Sequence, residues 1–271
     1  MARSDVIITP DELMNDTQVL DVRWRLGQTP GDGRAAYVDG HIPGARFLDF
    51  DDILIGPKTD PLLGRHPLPD AARVSDGLAA LGVDAGRPIV VYDMPGSFAA
   101  CRAWWVLTWT GLDVRVLDGG WGAWLASGRA IEAGPGASGA SGGRRPRLTT
   151  GRLPVITAQE AAAWPGTLID ARAAERFRGE VEPLDRKAGH IPGAVNRPVT
   201  GFWADDGTLP DDETLRDRLG ALREPVAAYC GSGVSATRVL LALAALGIPA
   251  ALYPPSWSGW SADPARPVAT G

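Results

Sequence analysis

The residue with the clearest chemical potential in this sequence is Cys230, which stands in the segment AAYCGSGVSATRV. Glycines at positions 231 and 233 let the following loop turn tightly, so that successive backbone N–H groups can point at one atom. A helix predicted to begin near Ser235 or Ala236 adds the partial positive charge of its N-terminus. Both features favour the thiolate, which is the nucleophilic form. The sequence therefore predicts a reactive cysteine, although a free cysteine is most often a buried structural residue.

The second cysteine, Cys101, stands in a different setting. It falls in SFAACRAWWVLTW, an apolar stretch in which Phe98 and Trp105 recur at helical spacing. This pattern predicts a cysteine buried in the core. Two distant cysteines and three histidines also lack the spacing of metal ligands, so we expect neither a disulfide framework nor a metal site.

The elements that position Cys230 can be predicted from its neighbours. Val226–Tyr229 has the character of a buried strand that ends just before the cysteine, and a long apolar helix follows the loop. Strands alternate with helices along the chain, which predicts βαβ units and mainly parallel sheets. In such sheets ligands bind beyond the carboxyl ends of the strands. We therefore expect an α/β fold with Cys230 at the edge where chemistry occurs.

The chain also contains two copies of one pattern. Five pairs of segments occur in the same order in both halves: ITPDELM and ITAQEAA, VLDVR and LIDAR, GHIPGA twice, PIVVYD and PVAAYC, and VLDGGWGAW and LYPPSWSGW. Such internal similarity indicates that one structural unit is repeated. The alignment of the fourth pair places Asp93 of the first half opposite Cys230.

A segment that cannot form a core separates the two copies. Residues 132–151 read EAGPGASGASGGRRPRLTTG, a composition typical of a linker. We therefore expect two similar domains, at residues 1–131 and 152–271, each a mainly parallel sheet flanked by helices. A T-x-x-E capping box near the start of each domain predicts a short helix, with Glu12 three residues after Thr9 and Glu160 three residues after Thr157.

The composition and charge of the chain argue against several classes of protein. Hydrophobic residues make up 45% of the chain and charged residues 22%, as in ordinary globular proteins. The net charge of −5 argues against a nucleic-acid partner. The first residues lack the apolar stretch of a signal peptide, and no run of roughly 20 apolar residues predicts a membrane span. With only two cysteines, the sequence fits a reducing cytoplasm.

Both repeats resemble the domains of rhodanese-family sulfurtransferases of the tandem type, and the resemblance covers nearly the whole chain. In that family the second domain carries the catalytic cysteine and the first is an inactive copy, which agrees with Asp93 opposite Cys230. The loop CGSGVS is similar to the CGSGVT loop of the 3-mercaptopyruvate sulfurtransferase branch. The thiosulfate branch usually has CRKGVT, whose basic residues suit a dianionic donor.

The resemblance implies a double displacement. Cys230 takes a sulfur atom from a small anionic donor, becomes a persulfide, and passes the sulfur to a thiol such as thioredoxin or a small thiol, or to cyanide. The expected donor is 3-mercaptopyruvate, with thiosulfate as the alternative, and no cofactor or metal is implied. Backbone N–H groups of the loop would hold the persulfide, at Gly231, Gly233, Val234 and Ser235.

The resemblance further implies a Ser–His–Asp arrangement that helps to protonate a pyruvate enolate. It assigns Ser232, His41 of the HIPGA turn, and Asp32 nine residues before that histidine. Because His190 takes the same place in the second repeat, a turn-stabilising role is the alternative for His41. The remaining histidine, His66 in GRHPLPD, is expected in a surface loop.

The resemblance assigns the donor's carboxylate to arginine, whose planar fork of donors suits it. Arg176 in DARAAERFRGE matches the family's position, and Arg172 lies four residues earlier. A second arginine is usual in the mercaptopyruvate branch just after an EP pair, where this chain has Leu184. Any one of these arginines could instead be a solvated surface charge.

Two other functions on the same fold are weaker. A Cys-dependent phosphatase of the rhodanese-like type needs arginine six residues after the cysteine, where this chain has Ala236, and Arg238 comes two positions too late. A non-catalytic binding module would lack the nucleophile, which fits the first domain but not the second.

Overall fold

The computed structural model describes residues 1–14, 16–136 and 145–271, so that residues 137–144 of the predicted linker lie outside the described residues. Each repeat forms one parallel sheet, in the order β1-β5-β4-β2-β3 in the first domain and β7-β6-β8-β9 in the second. The α/β architecture expected from the alternating pattern is confirmed. The strands are β1 Ile7–Ile8, β2 Gln18–Asp21, β3 Arg46–Phe47, β4 Ile89–Tyr92, β5 Val114–Leu117, β6 Thr167–Asp170, β7 Val195–Asn196, β8 Val226–Tyr229 and β9 Ala250–Leu252.

Helices cover both faces of each sheet. They are α1 Arg3–Val6, α2 Asp32–Asp39, α3 Phe50–Ile53, α4 Ala71–Ala80, α5 Ala99–Trp109, α6 Gly120–Ala126, α7 Ala158–Ala162, α8 Ala174–Arg178, α9 Asp212–Leu219, α10 Ala236–Ala245 and α11 Ser256–Ala262. Short 3-10 helices span Pro10–Glu12, Pro61–Leu63 and Val199–Phe202. No helix in the described ranges has the length and apolar character needed to cross a membrane.

The predicted capping boxes are present in both domains. Thr9 and Glu12 close the start of the 3-10 helix at Pro10–Glu12, and Thr157 and Glu160 do the same for α7. In each case the glutamate carboxylate accepts the threonine backbone N–H, at 2.9 Å in the first domain and 2.6 Å in the second. The repeat is thus preserved in hydrogen bonds as well as in sequence.

The central strands send alternate side chains into different cores. In β4, Ile89 and Val91 join one central cluster, while Val90 and Tyr92 join the outer cluster of the first domain. In β8 the same alternation places Val226 and Ala228 in that central cluster. The central cluster contains residues of both domains, and helices α5 and α10 pack against each other within it. The two domains therefore share a continuous apolar core rather than meeting through a polar contact.

Candidate active site

The sulfur of Cys230 lies where the sequence places it, immediately after β8 and at the start of the loop that leads to α10. The residue is 1% exposed. The backbone N–H of Gly233 donates to Sγ at 3.2 Å, so the loop folds back onto the cysteine. An N–H that points at sulfur stabilises the thiolate more than the thiol. The geometry therefore suits a nucleophile and a bound persulfide.

The following strand and helix hold this loop in place. The Ser256 hydroxyl accepts the Cys230 N–H at 3.2 Å, and the Trp257 N–H donates to the Cys230 carbonyl at 2.9 Å. Gly233 has a φ of +79°, and a Cβ there would lie 2.5 Å from the Pro254 carbonyl oxygen. A side chain at this position would therefore displace the loop, and glycine is required.

A pocket of about 430 Å³ opens above Cys230, and both domains form its walls. The second domain contributes the predicted loop residues Gly231, Ser232, Val234 and Ser235 together with Arg172 and Arg176. The first domain contributes Trp24, Arg65, His66 and Phe98. The site thus depends on the packing of one domain against the other. Among the described residues, no group of three or more His, Cys, Asp or Glu side chains is arranged to hold a metal ion.

The predicted partner of Ser232 was wrong, because the structure pairs this serine with His66. Nδ1 of His66 lies 2.7 Å from the Ser232 hydroxyl oxygen. His66 is 5% exposed, so the expectation of a surface loop is also wrong. The histidine and the serine come from different domains, which makes the hydrogen bond an interdomain one.

Two glycines allow the segment that carries His66 to approach the second domain. A Cβ at Gly64 would lie 2.4 Å from the Pro255 carbonyl oxygen, and one at Gly259 would lie 2.6 Å from the Leu62 carbonyl oxygen. The 3-10 helix Pro61–Leu63 therefore packs with its backbone directly on α11. This close contact delivers His66 to the catalytic loop.

The surroundings of His66 keep its ring neutral. Burial lowers the pKa of His66 to about 3, and the positive charges of Arg102, Lys58 and Arg65 act in the same direction. A neutral imidazole has one acceptor and one donor nitrogen, so it can give a proton to the Ser232 oxygen at Nδ1 and take one at Nε2, and the ring stays neutral at neutral pH.

Arg102 connects the catalytic loop of the second domain to the His66 segment of the first through hydrogen bonds to both. It belongs to α5 of the first domain and is fully buried. Its Nη1 donates to the Gly233 carbonyl at 2.9 Å, and its Nη2 donates to the His66 carbonyl at 3.1 Å. Burial lowers the pKa of Arg102 to about 10, which leaves it a cation at neutral pH. A buried cation beside the loop favours a negative charge on Cys230.

Arg176, the predicted carboxylate ligand, does line the pocket. Its Nη2 donates to Glu182 at 2.7 Å and to Asp185 at 3.3 Å. Asp185 also accepts a hydrogen bond from Arg65 of the first domain. Leu184, which stands where a second arginine was expected, lines the same pocket without a charge.

Arg172 has a guanidinium that is occupied by the protein itself. It donates to Asp170 and to the Gly189 carbonyl, each at 2.6 Å. Arg23 of the first domain makes the matching contacts with Asp21 and the Gly40 carbonyl. Because the first repeat, which has no cysteine after its central strand, preserves this arrangement, we infer a structural role for Arg172 rather than the expected contact with the donor.

His41 and Asp32 are not brought to Ser232. Nδ1 of His41 lies 2.8 Å from the Tyr37 carbonyl oxygen, and its ring stacks on that tyrosine with centroids 3.9 Å apart. His190 repeats this geometry on Phe177, with the same 2.8 Å distance and a stacking distance of 3.7 Å. The repeated geometry indicates the turn-stabilising role for His41. Asp32, at the exposed start of α2, accepts the Thr29 N–H at 3.0 Å.

One signal in the sequence could have identified His66. The segment from His41 to Asp70, the N-cap of α4, is eight residues longer than the segment from His190 to Asp211, the N-cap of α9. His66 falls within this longer segment. A feature present in only one repeat is a candidate for a role that the repeats do not share. No comparable signal marks Arg102, which lies in an apolar helix.

Comparison with protein families agrees with the geometry. The model of the rhodanese-like domain matches residues 10–127 and again residues 156–263. The two matches cover all strands of the two sheets except β1, with Asp93 in the first match and Cys230 in the second.

Relatives and solved structures match the chain over its length. It is 45% identical to the Mycobacterium tuberculosis protein named "Putative thiosulfate sulfurtransferase SseB", over 100% of this chain and 99% of that protein. It is 43% identical to the "Probable 3-mercaptopyruvate sulfurtransferase" of Pseudomonas aeruginosa, over 94% of this chain and 93% of that protein. The structure of 3-mercaptopyruvate sulfurtransferase from Leishmania major superposes with a TM-score of 0.84 at 29% identity, covering 95% of this chain and 74% of that one.

Proposed function

This chain belongs to the family of rhodanese-like domain proteins, and from that premise we propose that it is a sulfurtransferase that takes sulfur from 3-mercaptopyruvate and carries it on Cys230. The observation that supports this assignment most directly is the neutral Ser232–His66 pair beside the cysteine. Such a pair serves a donor whose leaving group needs a proton, and the enolate of pyruvate is such a leaving group.

In the first half-reaction the Cys230 thiolate attacks the sulfur of 3-mercaptopyruvate. A sulfur–sulfur bond forms, the bond from sulfur to carbon breaks, and its electron pair remains on the departing pyruvate as an enolate. The Gly233 N–H and the buried charge of Arg102 stabilise the anionic sulfur. The enolate carbon takes a proton from the Ser232 hydroxyl. Nδ1 of the neutral His66 then gives its proton to the serine oxygen while Nε2 takes one from a water molecule, so that the ring stays neutral and hydroxide is left in the solvent.

In the second half-reaction an acceptor removes the outer sulfur. A thiolate or cyanide attacks the terminal sulfur of the persulfide, and the electron pair of the sulfur–sulfur bond returns to Cys230 as thiolate. We propose a thiol as the acceptor in the cell, such as thioredoxin or a small thiol, and the cytoplasm as the location. Both cysteines of the chain are free, which accords with a reducing compartment.

Thiosulfate is the second candidate donor, favoured by the name of the Mycobacterium tuberculosis relative. Sulfite leaves thiosulfate without needing a proton, so turnover of this donor does not require proton transfer from the Ser232–His66 pair. A phosphatase is disfavoured, because the guanidinium of Arg238 donates to the Phe202 carbonyl at 3.0 Å instead of facing Cys230.

The test compares kcat/KM for 3-mercaptopyruvate and thiosulfate, each with cyanide and with a dithiol as acceptor. We expect the wild type to favour 3-mercaptopyruvate. Ser232→Ala should lower turnover of this donor about a hundredfold and thiosulfate turnover far less, since only one leaving group needs the proton. A wild type that prefers thiosulfate, with equal effects of Ser232→Ala on both donors, would assign the enzyme to thiosulfate.

A further inference from the structure

Two arginines from opposite domains meet beside the catalytic loop. Arg65 follows the 3-10 helix Pro61–Leu63 of the first domain, and Arg176 lies on α8 of the second. Both donate to the carboxylate of Asp185, Arg65 through Nη1 and Arg176 through Nη2. The Asp185 side chain is 5% exposed, so the shared carboxylate fixes both guanidinium groups within the protein.

On each guanidinium, one edge makes no hydrogen bond within the described ranges, and we call it the free edge. Both free edges face Gly231. A Cβ built on Gly231 would lie 3.1 Å from Nη2 of Arg65 and 3.5 Å from Nη1 of Arg176. Within the described ranges, neither nitrogen donates a hydrogen bond to the protein. Nε of Arg65 is buried and likewise lacks an acceptor there. The space beside Gly231 is therefore bordered by N–H groups that need an acceptor.

The free edges are placed for an anion that is attached to the reacting sulfur. Gly231 is the residue next to Cys230, and the pocket above the cysteine includes both arginines. In 3-mercaptopyruvate the carboxylate carbon is three bonds from the sulfur, so a carboxylate beside Gly231 leaves the sulfur within reach of the thiolate. Two guanidinium groups that share one carboxylate provide charge-assisted bonds to both of its oxygens.

We propose that Arg65 supplies, from the first domain, the second guanidinium of the carboxylate site, with the donor's carboxylate between Nη2 of Arg65 and Nη1 of Arg176. This inference rests on the proposed function, because it takes a carboxylate as the anion. Asp185 and Glu182 then serve as anchors that orient the two arginines. Donor recognition then depends on both domains. Arg65 takes the role of the second arginine that was expected where the chain has Leu184.

The experiment uses the full chain with Arg65→Met, Arg65→Lys and, as the matched control, Arg129→Met. Arg129 is an exposed arginine of the first domain whose guanidinium donates to the Asp11 carboxylate. Pyruvate, which carries the carboxylate but no sulfur, serves as the binding probe by calorimetry. The KM and kcat for 3-mercaptopyruvate are measured in parallel, and melting temperatures report on folding.

Arg65→Met should weaken pyruvate binding and raise the KM for 3-mercaptopyruvate at least about tenfold, while kcat at saturation changes less than about threefold. Arg65→Lys keeps the charge without the fork, so its loss should be smaller. Arg129→Met should change both quantities less than about twofold.

Unchanged pyruvate affinity and KM in Arg65→Met would overturn the proposal, as would an equal loss in Arg129→Met, which would indicate net charge alone. The two proposals fail separately. If the wild type does not turn over 3-mercaptopyruvate but Arg65→Met still weakens pyruvate binding, the donor is wrong and the carboxylate site stands.

Discussion

Asp93 and Cys230 occupy the same place in the two domains, and the frameworks around them are nearly identical. Each follows a central strand. The backbone carbonyl of each accepts a hydrogen bond at 2.9 Å from the backbone N–H of a tryptophan, Trp121 in the first domain and Trp257 in the second. In the first domain, Asp93 Oδ2 accepts the Ala100 N–H at 2.8 Å, where the second domain directs an N–H at sulfur. The fold thus supplies an anion-binding turn twice, and the residue at its centre decides whether the anion is fixed or can exchange.

A second difference between the domains is the residue that precedes the tryptophan contacting each loop. Gly120 and Ser256 are equivalent, with φ values of +52° and +53°. The first domain uses glycine, for which this conformation carries little strain. The second domain uses serine, whose hydroxyl accepts the Cys230 N–H and donates to the Tyr253 carbonyl. A strained residue is therefore retained where it supports the nucleophile.

The first domain also carries residues that have no counterpart in the second. His66 and Arg65 lie in the segment that is eight residues longer in the first repeat. The first domain thus has Asp93 where the second has Cys230, but it contributes the histidine and an arginine to the other domain's pocket. This division explains why both domains share one core.

The largest effect on activity is expected from removing Cys230, the residue that distinguishes the second loop from the first. Cys230→Ala should abolish sulfur transfer, at least about a thousandfold, because no other group can form the persulfide. Asp93→Asn and Cys101→Ala should retain activity. Burial raises the pKa of Cys101 to about 11, so this cysteine remains an unreactive thiol.

Mass spectrometry after incubation with donor alone provides the direct measurement. One added sulfur atom is expected on the peptide that contains Cys230, and none on the peptide that contains Cys101. A persulfide on Cys101, or transfer by Cys230→Ala, would contradict the assignment.

The second prediction separates the two histidines of the first domain. His66→Gln should lower kcat with 3-mercaptopyruvate about a hundredfold and affect thiosulfate less, because the variant loses the proton relay to Ser232. His41→Gln should leave kcat unchanged and lower stability by about 1 kcal/mol, since it loses the bond to the Tyr37 carbonyl.

Steady-state kinetics with both donors and chemical unfolding of both variants make the measurement. A greater loss of kcat in His41→Gln than in His66→Gln would restore the arrangement predicted from the sequence.

The fold was predictable because its signals are local and occur twice. Strand β8 has the predicted residues, Val226–Tyr229, and the helix predicted to begin near Ser235 or Ala236 is α10 at Ala236–Ala245. The position of Cys230 after β8 followed from the same signals. The domain boundaries at residues 131 and 152 remain a prediction.

The partners of Cys230 from the first domain were not predictable in the same way. The contact of His66 with Ser232 joins residues 166 positions apart and depends on how two helices and two glycines pack at the interface. No periodicity within either repeat encodes that packing. The resemblance supplied a histidine of the correct domain, but the repeated motif drew the assignment to His41.

The last prediction concerns the free-energy cost of burying the Asp93 carboxylate in the loop of the first domain. Burial raises the pKa of Asp93 to about 6. An acid whose pKa is higher in the folded state than in the unfolded state, near 3.9, stabilises the fold when protonated at low pH. That contribution is lost as the pH rises through the folded pKa. Asp93→Asn is neutral throughout, so its stability relative to wild type should rise by about 2 kcal/mol between about pH 4.5 and 7.5.

Urea unfolding of both proteins at the two pH values provides the measurement, because other titrating groups cancel in the difference. Asp39→Asn is the control, since Asp39 is exposed on α2. A difference between Asp93→Asn and wild type that does not depend on pH would mean that the carboxylate is as well solvated in the loop as in water. The first domain would then hold the Asp93 carboxylate without an electrostatic cost.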